Sequence, residues 1–137
     1  MSYAMSVSFQ EAVYAALLTD TALGVLLGTA IYDSVPVAPE TTYLMLGEDS
    51  AKDRSSATHK GSTLDFEINI YSDIPGFDTA KTAAAAVCDV LIDADLTLTR
   101  GNLVNLRFLK SRARRGVSPE QRRIALVFRA ILDDGSY

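Results

Sequence analysis

With 137 residues and a hydrophobic share of 48%, the chain is sized for one domain with a packed core. Its 13 basic and 17 acidic residues leave a net charge of -4, which argues against a general nucleic-acid binder. No apolar run reaches the ~18 residues that a membrane-crossing helix needs. No basic segment leads into an apolar one at the start, so a secretory leader is not expected. Cys88 is the only cysteine, which excludes an internal disulfide framework and makes a reducing compartment the default.

In chain order, Met1 to Ser6 reads as frayed. A helix is expected from Ser8, with Ser8 as cap, Glu11 three residues on as in a capping box, and a stripe of Phe9, Val13, Ala16 and Leu17. Asp20 to Leu27 follows as a short helical segment, capped by Asp20 and stopped by Gly28. Ala30 to Val35 reads as a short strand ended at Pro36, and Pro36 and Pro39 mark an extended loop. Thr42 to Glu48 reads as a strand with Tyr43 and Met45 on one side and Leu44 and Leu46 on the other. Two apolar faces suit a strand covered twice. Asp49 to Gly61 is polar, carries both charge signs and has no period, so it reads as a long mobile hairpin loop.

The next stretch organises the rest. Leu64, Phe66, Ile68 and Ile70 alternate with Asp65, Glu67 and Asn69, the period of a half-buried strand. Pro75 and Gly76 stop it. From Thr79 to Asp93, Ala80, Ala83, Ala84, Val87, Val90 and Leu91 recur at helical spacing, and Ala83 to Ala86 let that helix lie close to a sheet. Leu96 to Thr99 reads as a short strand, and Arg100, Gly101 and Asn102 as a tight turn. Leu103 to Arg112 is a strand, with Val104, Leu106 and Phe108 set against Asn105, Arg107 and Leu109. Gly116 to Gln121 turns the chain, and Ile124 to Leu132 is a last strand, apolar on both faces. The expected fold is a single α+β domain. It is a mostly antiparallel sheet of about four to six strands packed against two main helices.

A catalytic set is not visible. His59, the only histidine, sits among loop hydroxyls and reads as solvated rather than as a base. Cys88 lies in an apolar helix, where a thiol is inert. One histidine and one cysteine do not make a metal site. Asp89, Asp93 and Asp95 lack the glycine-bearing loop of a calcium site and read as a solvated helix end. The strongest charge feature is Lys110, Arg112, Arg114 and Arg115, followed by Arg122 and Arg123. No aromatics interleave with it, which disfavours single-strand binding. Two strands with two apolar faces, but only about two helices to cover them, point to burial by another copy of the chain.

The run Ala30, Ile31, Tyr32, Asp33, Ser34, Val35 and Pro36, followed by Tyr43 to Glu48, resembles the opening of a tail-completion family. These are the tail terminator, or tail-to-head joining, proteins of long-tailed phages and gene transfer agents. The likeness continues through Phe66 to Ser72, Gly76 to Leu91, Asn102 to Phe108 and Arg123 to Ala130. Members often carry a proline where Thr42 stands here. The resemblance implies a non-enzymatic subunit without cofactor, found at the head-proximal end of the tail of a virion or phage-like particle. It implies a ring, usually sixfold, between the tail tube protein and the head-side connector, with DNA passing through its channel.

Carried onto this chain, that gives three expected contact regions. The first is the arm with Asp49, Lys52, Asp53, Arg54, His59 and Lys60. The second is the basic hairpin with Arg112, Arg114, Arg115, Arg122 and Arg123, its arginines meeting a partner's carboxylates. The third is a channel or solvent face with Asp65 and Glu67. The alternative is a small nucleic-acid-binding accessory protein that uses the hairpin 110–123.

Overall fold

The computed structural model describes residues 5–28, 30–33, 41–115 and 121–136. Three helices precede or interrupt the strands: α1 (Met5–Thr19), α2 (Thr21–Leu27) and α3 (Asp78–Leu91). Five strands, β1 (Ile31–Tyr32), β2 (Thr42–Asp53), β3 (His59–Ser72), β4 (Asn102–Arg115) and β5 (Arg122–Ser136), form one sheet in the order β1-β2-β3-β5-β4. Only the β1–β2 pairing is parallel. The α+β expectation therefore holds, with three helices rather than two.

The alternation on β3 and β5 aims Leu64, Phe66, Ile68 and Ile70, and Ile124, Leu126, Phe128, Ala130 and Leu132, at the helical layer. Phe9 of α1 meets Phe66 edge-on at 5.0 Å between ring centres. The alanines of α3 work as expected: Ala80, Ala83, Ala84 and Ala86 are buried, and so are Val87 and Leu91. Short side chains let the helix axis approach the sheet, which favours close dispersion contact. Asp20 caps α2 by accepting from the Leu23 amide at 3.0 Å, and Gly28 ends it at φ +60°.

Several expectations are corrected. Met5 and Ser6 are not frayed: both are buried in the first turn of α1. Ser8 is consequently inside the helix and caps nothing. Its hydroxyl donates to the carbonyls of Met5 and Arg100. The helix extends backward because Met5 has an apolar site to fill against Gly101. Asp49 to Gly61 is mostly strand, since β2 runs to Asp53 and β3 begins at His59. Polar residues can extend a ladder whenever a neighbouring strand supplies the partners, and β5 runs alongside as far as the His59–Ser136 pair. Leu96 to Thr99 forms no strand, although Leu96 and Leu98 still pack on the core. The residues 1–4, 34–40 and 116–120, which include the Pro36–Pro39 loop and most of the Gly116 turn, lie outside those described.

The face of the sheet away from the helices has no cover among the described residues. Ala125, Val127 and Ile131 lie half-buried there between charged neighbours. That matches the expectation of a second apolar face left over after the helices are placed.

Candidate assembly surface

Two β-bulges on β4 decide which residues share the uncovered face. Register shifts between Leu103 and Asn105, and again between Phe108 and Lys110, leave Val104 and Leu109 as extra residues. Each extra residue flips the alternation that follows. Leu103, Leu106 and Phe108 therefore face the helices, whereas Val104, expected among them, is 62% exposed. Past the second bulge, Lys110, Arg112 and Arg114 join Arg107 on the uncovered face. An unbroken alternation would have turned the three of them toward the helices.

The expected hairpin residues thus divide. Arg112 and Arg114 are exposed on the uncovered face. Arg115 and Arg122 pair across the hairpin at the opposite parity, and the Arg122 guanidinium lies 5.7 Å from the Phe77 ring centre. Arg123 is drawn into the molecule: its Nε donates to Asn69 and its Nη2 to Glu67, each at 2.9 Å, and it lies over the Tyr71 ring.

Asp65 and Glu67 are not free carboxylates. Asp65 accepts two hydrogen bonds from Arg129, at 2.7 and 2.9 Å, a forked pair that holds both side chains in register. That hydrogen bonding, aided by the positive charge of Arg129, holds the Asp65 carboxyl below its ordinary 3.8. A lowered folded-state value means the contribution is complete above the unfolded value and is lost as pH falls below it. Asp65→Asn is expected to flatten the acid limb of the stability profile below about pH 4. At neutral pH its cost should be modest, about 1 kcal/mol or less, because both groups are a third exposed. Denaturant titrations at pH 3 and pH 7 check this, and an unchanged pH slope would show that the pair contributes nothing.

The other expected contact residues lie at the opposite end of the sheet. Asp49 accepts from the Ser6 hydroxyl at 3.0 Å. Lys52 and Asp53 end β2, and Arg54 opens the tip, its amide donating to the Gly61 carbonyl. Asp53 accepts from the Ser55 hydroxyl at 2.7 Å, which holds its carboxyl below the usual range. His59 and Lys60 start β3 on the exposed side, and the His59 ring contacts the Thr58 hydroxyl at 3.2 Å. No carboxylate orients that ring among the described residues. The Cys88 thiol is pushed up, first by burial and then by Asp89.

Sequence reasoning missed Arg129 and Asn69, which bind Asp65 and Arg123, and it left Arg107 out of the basic cluster. The alternation set Arg107 beside Asn105, but that Arg129 stands opposite Asp65 on one side and Arg107 on the other is a matter of cross-strand register.

The chain is thus a small α+β protein whose sheet is covered by helices on one face and, among the described residues, carries matched and surplus arginines on the other. The family model "Tail completion protein gp17" matches residues 11–133, and the chain belongs to that family. It is also similar to a chain in the structure of the virion of a native gene transfer agent particle, with 49% identity and a TM-score of 0.91. That match covers 96% of this chain and 99% of the other. No curated protein matches.

Proposed function

We propose that the protein is a structural subunit of a phage-like tail. It forms a ring that terminates the tail tube and joins it to the head-side connector, while DNA passes through. The observation that carries this is the 49% identity over nearly the whole of both chains to a component of an assembled gene transfer agent virion. Assignment to the tail-completion family places the role at the tail rather than in the capsid shell. The open sheet face supports assembly, because its half-buried Val127 and Ile131 have no cover among the described residues. On this reading, the hairpin tip around Arg54 and His59 reaches toward the tube. The face carrying Asp65 and Glu67 is the candidate channel lining, presenting charge already matched by arginine.

Loss of the gene in a producing strain should leave tails and filled heads unjoined, counted by electron microscopy, with joining restored by the wild-type chain. Normal particles without the protein would end the proposal. The second reading, a nucleic-acid-binding accessory, draws on the exposed Lys110, Arg112 and Arg114. It requires salt-sensitive binding of duplex DNA by the purified protein, lost when those residues are replaced.

A further inference from the structure

The charges of this chain are sorted by edge. No lysine or arginine precedes Lys52, whereas every charged residue from Arg100 to Arg129 except Glu120 is basic. The sheet order carries that division into space: the acidic N-terminal part builds the β1 edge with α1, and the basic part builds the β4 edge. Four inter-strand steps separate the edges, roughly 19 Å. At the β1 edge a groove of about 420 Å³ is lined by Val7, Gln10, Glu11, Tyr14 and Asp33. Glu11 and Asp33 are both exposed, Val7 is 64% exposed, and Tyr14 is pinned to the Ile31 carbonyl by its hydroxyl. At the β4 edge, Lys110, Arg112 and Arg114 are exposed and make no ion pair among the described residues. The bulged Leu109 beside them is 36% exposed.

We infer that these two edges bind one another between copies of the chain: the β4 cations of one subunit seat on Glu11 and Asp33 of the next. The inference rests on the ring reading above and specifies its contact. Three observations select a second copy in this orientation. First, a symmetric pairing of two β4 edges would set cations opposite cations, which is destabilising. The contact must therefore join unlike edges, head to tail, and head-to-tail contacts make rings or filaments. Second, the edges lie level. The register runs Tyr32, Met45, Asn69, Ala125, Arg112 straight across the sheet, so Asp33 follows the residue in line with Arg112. Joining level edges introduces little rise along the strands, which favours closure over a climbing helix. Third, surplus cations beside a channel would hold DNA, and seating them on a neighbour's carboxylates removes that attraction.

The test reverses each edge in the full-length chain, in particle-producing cells. Lys110→Glu, Arg112→Glu and Arg114→Glu together, or Glu11→Lys with Asp33→Lys, should each cut joined particles by about tenfold or more, because like charges then meet. All five changes in one chain should restore joining. Thermal midpoints of the purified variants should stay near wild type, since every altered side chain is exposed. If the glutamate set misfolds, the same three positions changed to glutamine should give a smaller loss in the same direction. If the wild type is needed for joining but both reversed variants join as well as it does, this contact is wrong and the ring reading survives. If the wild type is itself dispensable, the ring reading fails as well. Loss in both single-edge sets without rescue by the combination would overturn the pairing. It would also be overturned by a defect confined to the β4 set and matched by loss of duplex-DNA binding.

Discussion

Replacing Phe128 with alanine is expected to remove about 3–5 kcal/mol of stability. Phe128 is fully buried on β5, the strand with β3 on one side and β4 on the other. Its ring stacks on Phe66 at 5.6 Å and meets Phe108 edge-on at 5.8 Å. Phe66 in turn meets Phe9 of α1, so the ring is the middle of a chain of aromatic contacts from the helical layer to the β4 edge. Alanine would leave a cavity bordered by side chains of three strands, whose backbones are held by ladder hydrogen bonds and cannot close in. For a domain of this size the melting midpoint should fall by roughly 10–20 °C. A denaturant midpoint corresponding to less than about 1 kcal/mol would mean the site collapses freely. Phe108→Ala is the contrast: at 38% exposure it should cost clearly less.

The second large effect is expected at Gly101. Its φ of +77° is a conformation that side chains disfavour, and an added Cβ would run into the Met5 sulfur and come within 3.1 Å of the Asp133 carbonyl. Gly101→Ala should therefore cost about 2–4 kcal/mol, combining backbone strain with displacement of a buried methionine. Gly135 separates the two causes: its φ is +96°, but a Cβ there meets nothing within 4 Å. Gly135→Ala should cost about 1–2 kcal/mol from conformation alone. Equal losses at both positions, measured by urea unfolding, would show that Met5 yields without penalty and that its burial matters little.

Much of the fold was legible because the signals were local. Leu64 to Ile70 alternate cleanly, and Ala80 to Leu91 repeat at helical spacing, so each element announces its buried face without help from the rest. Asp20 and Gly28 bracket α2 as their chemistry requires. Where the signal depended on a distant partner it failed. Met1 to Ser6 lacks a helical pattern of its own, and the start of α1 is held by distant partners: Met5 packs at Gly101, Ser6 bonds Asp49 and Ser8 bonds Arg100. Asp49 to Gly61 has no period, because there the ladder is held by backbone partners, on β3 for Asp49 to Asp53 and on β5 for His59 to Gly61, rather than by an apolar face. Leu96 and Leu98 looked like a strand but pack on the core without pairing.

The candidate surface shows the same division. Its basic residues stood out as a run in the sequence, which also carried the family resemblance that the comparison bears out. Composition, the periods of β3 and α3, the caps of α2 and the sorting of charge along the chain are properties of neighbouring residues, and the sequence by itself determined them. Tertiary structure decided which charges meet. A bulge at Leu109 turns Lys110, Arg112 and Arg114 outward, register sets Asp65 opposite Arg129, and Arg123, opposite Tyr71, reaches along the face to Asn69 and Glu67. A single extra residue reverses every side chain after it, and whether a strand carries one is settled by its pairing with a neighbour rather than by the strand alone.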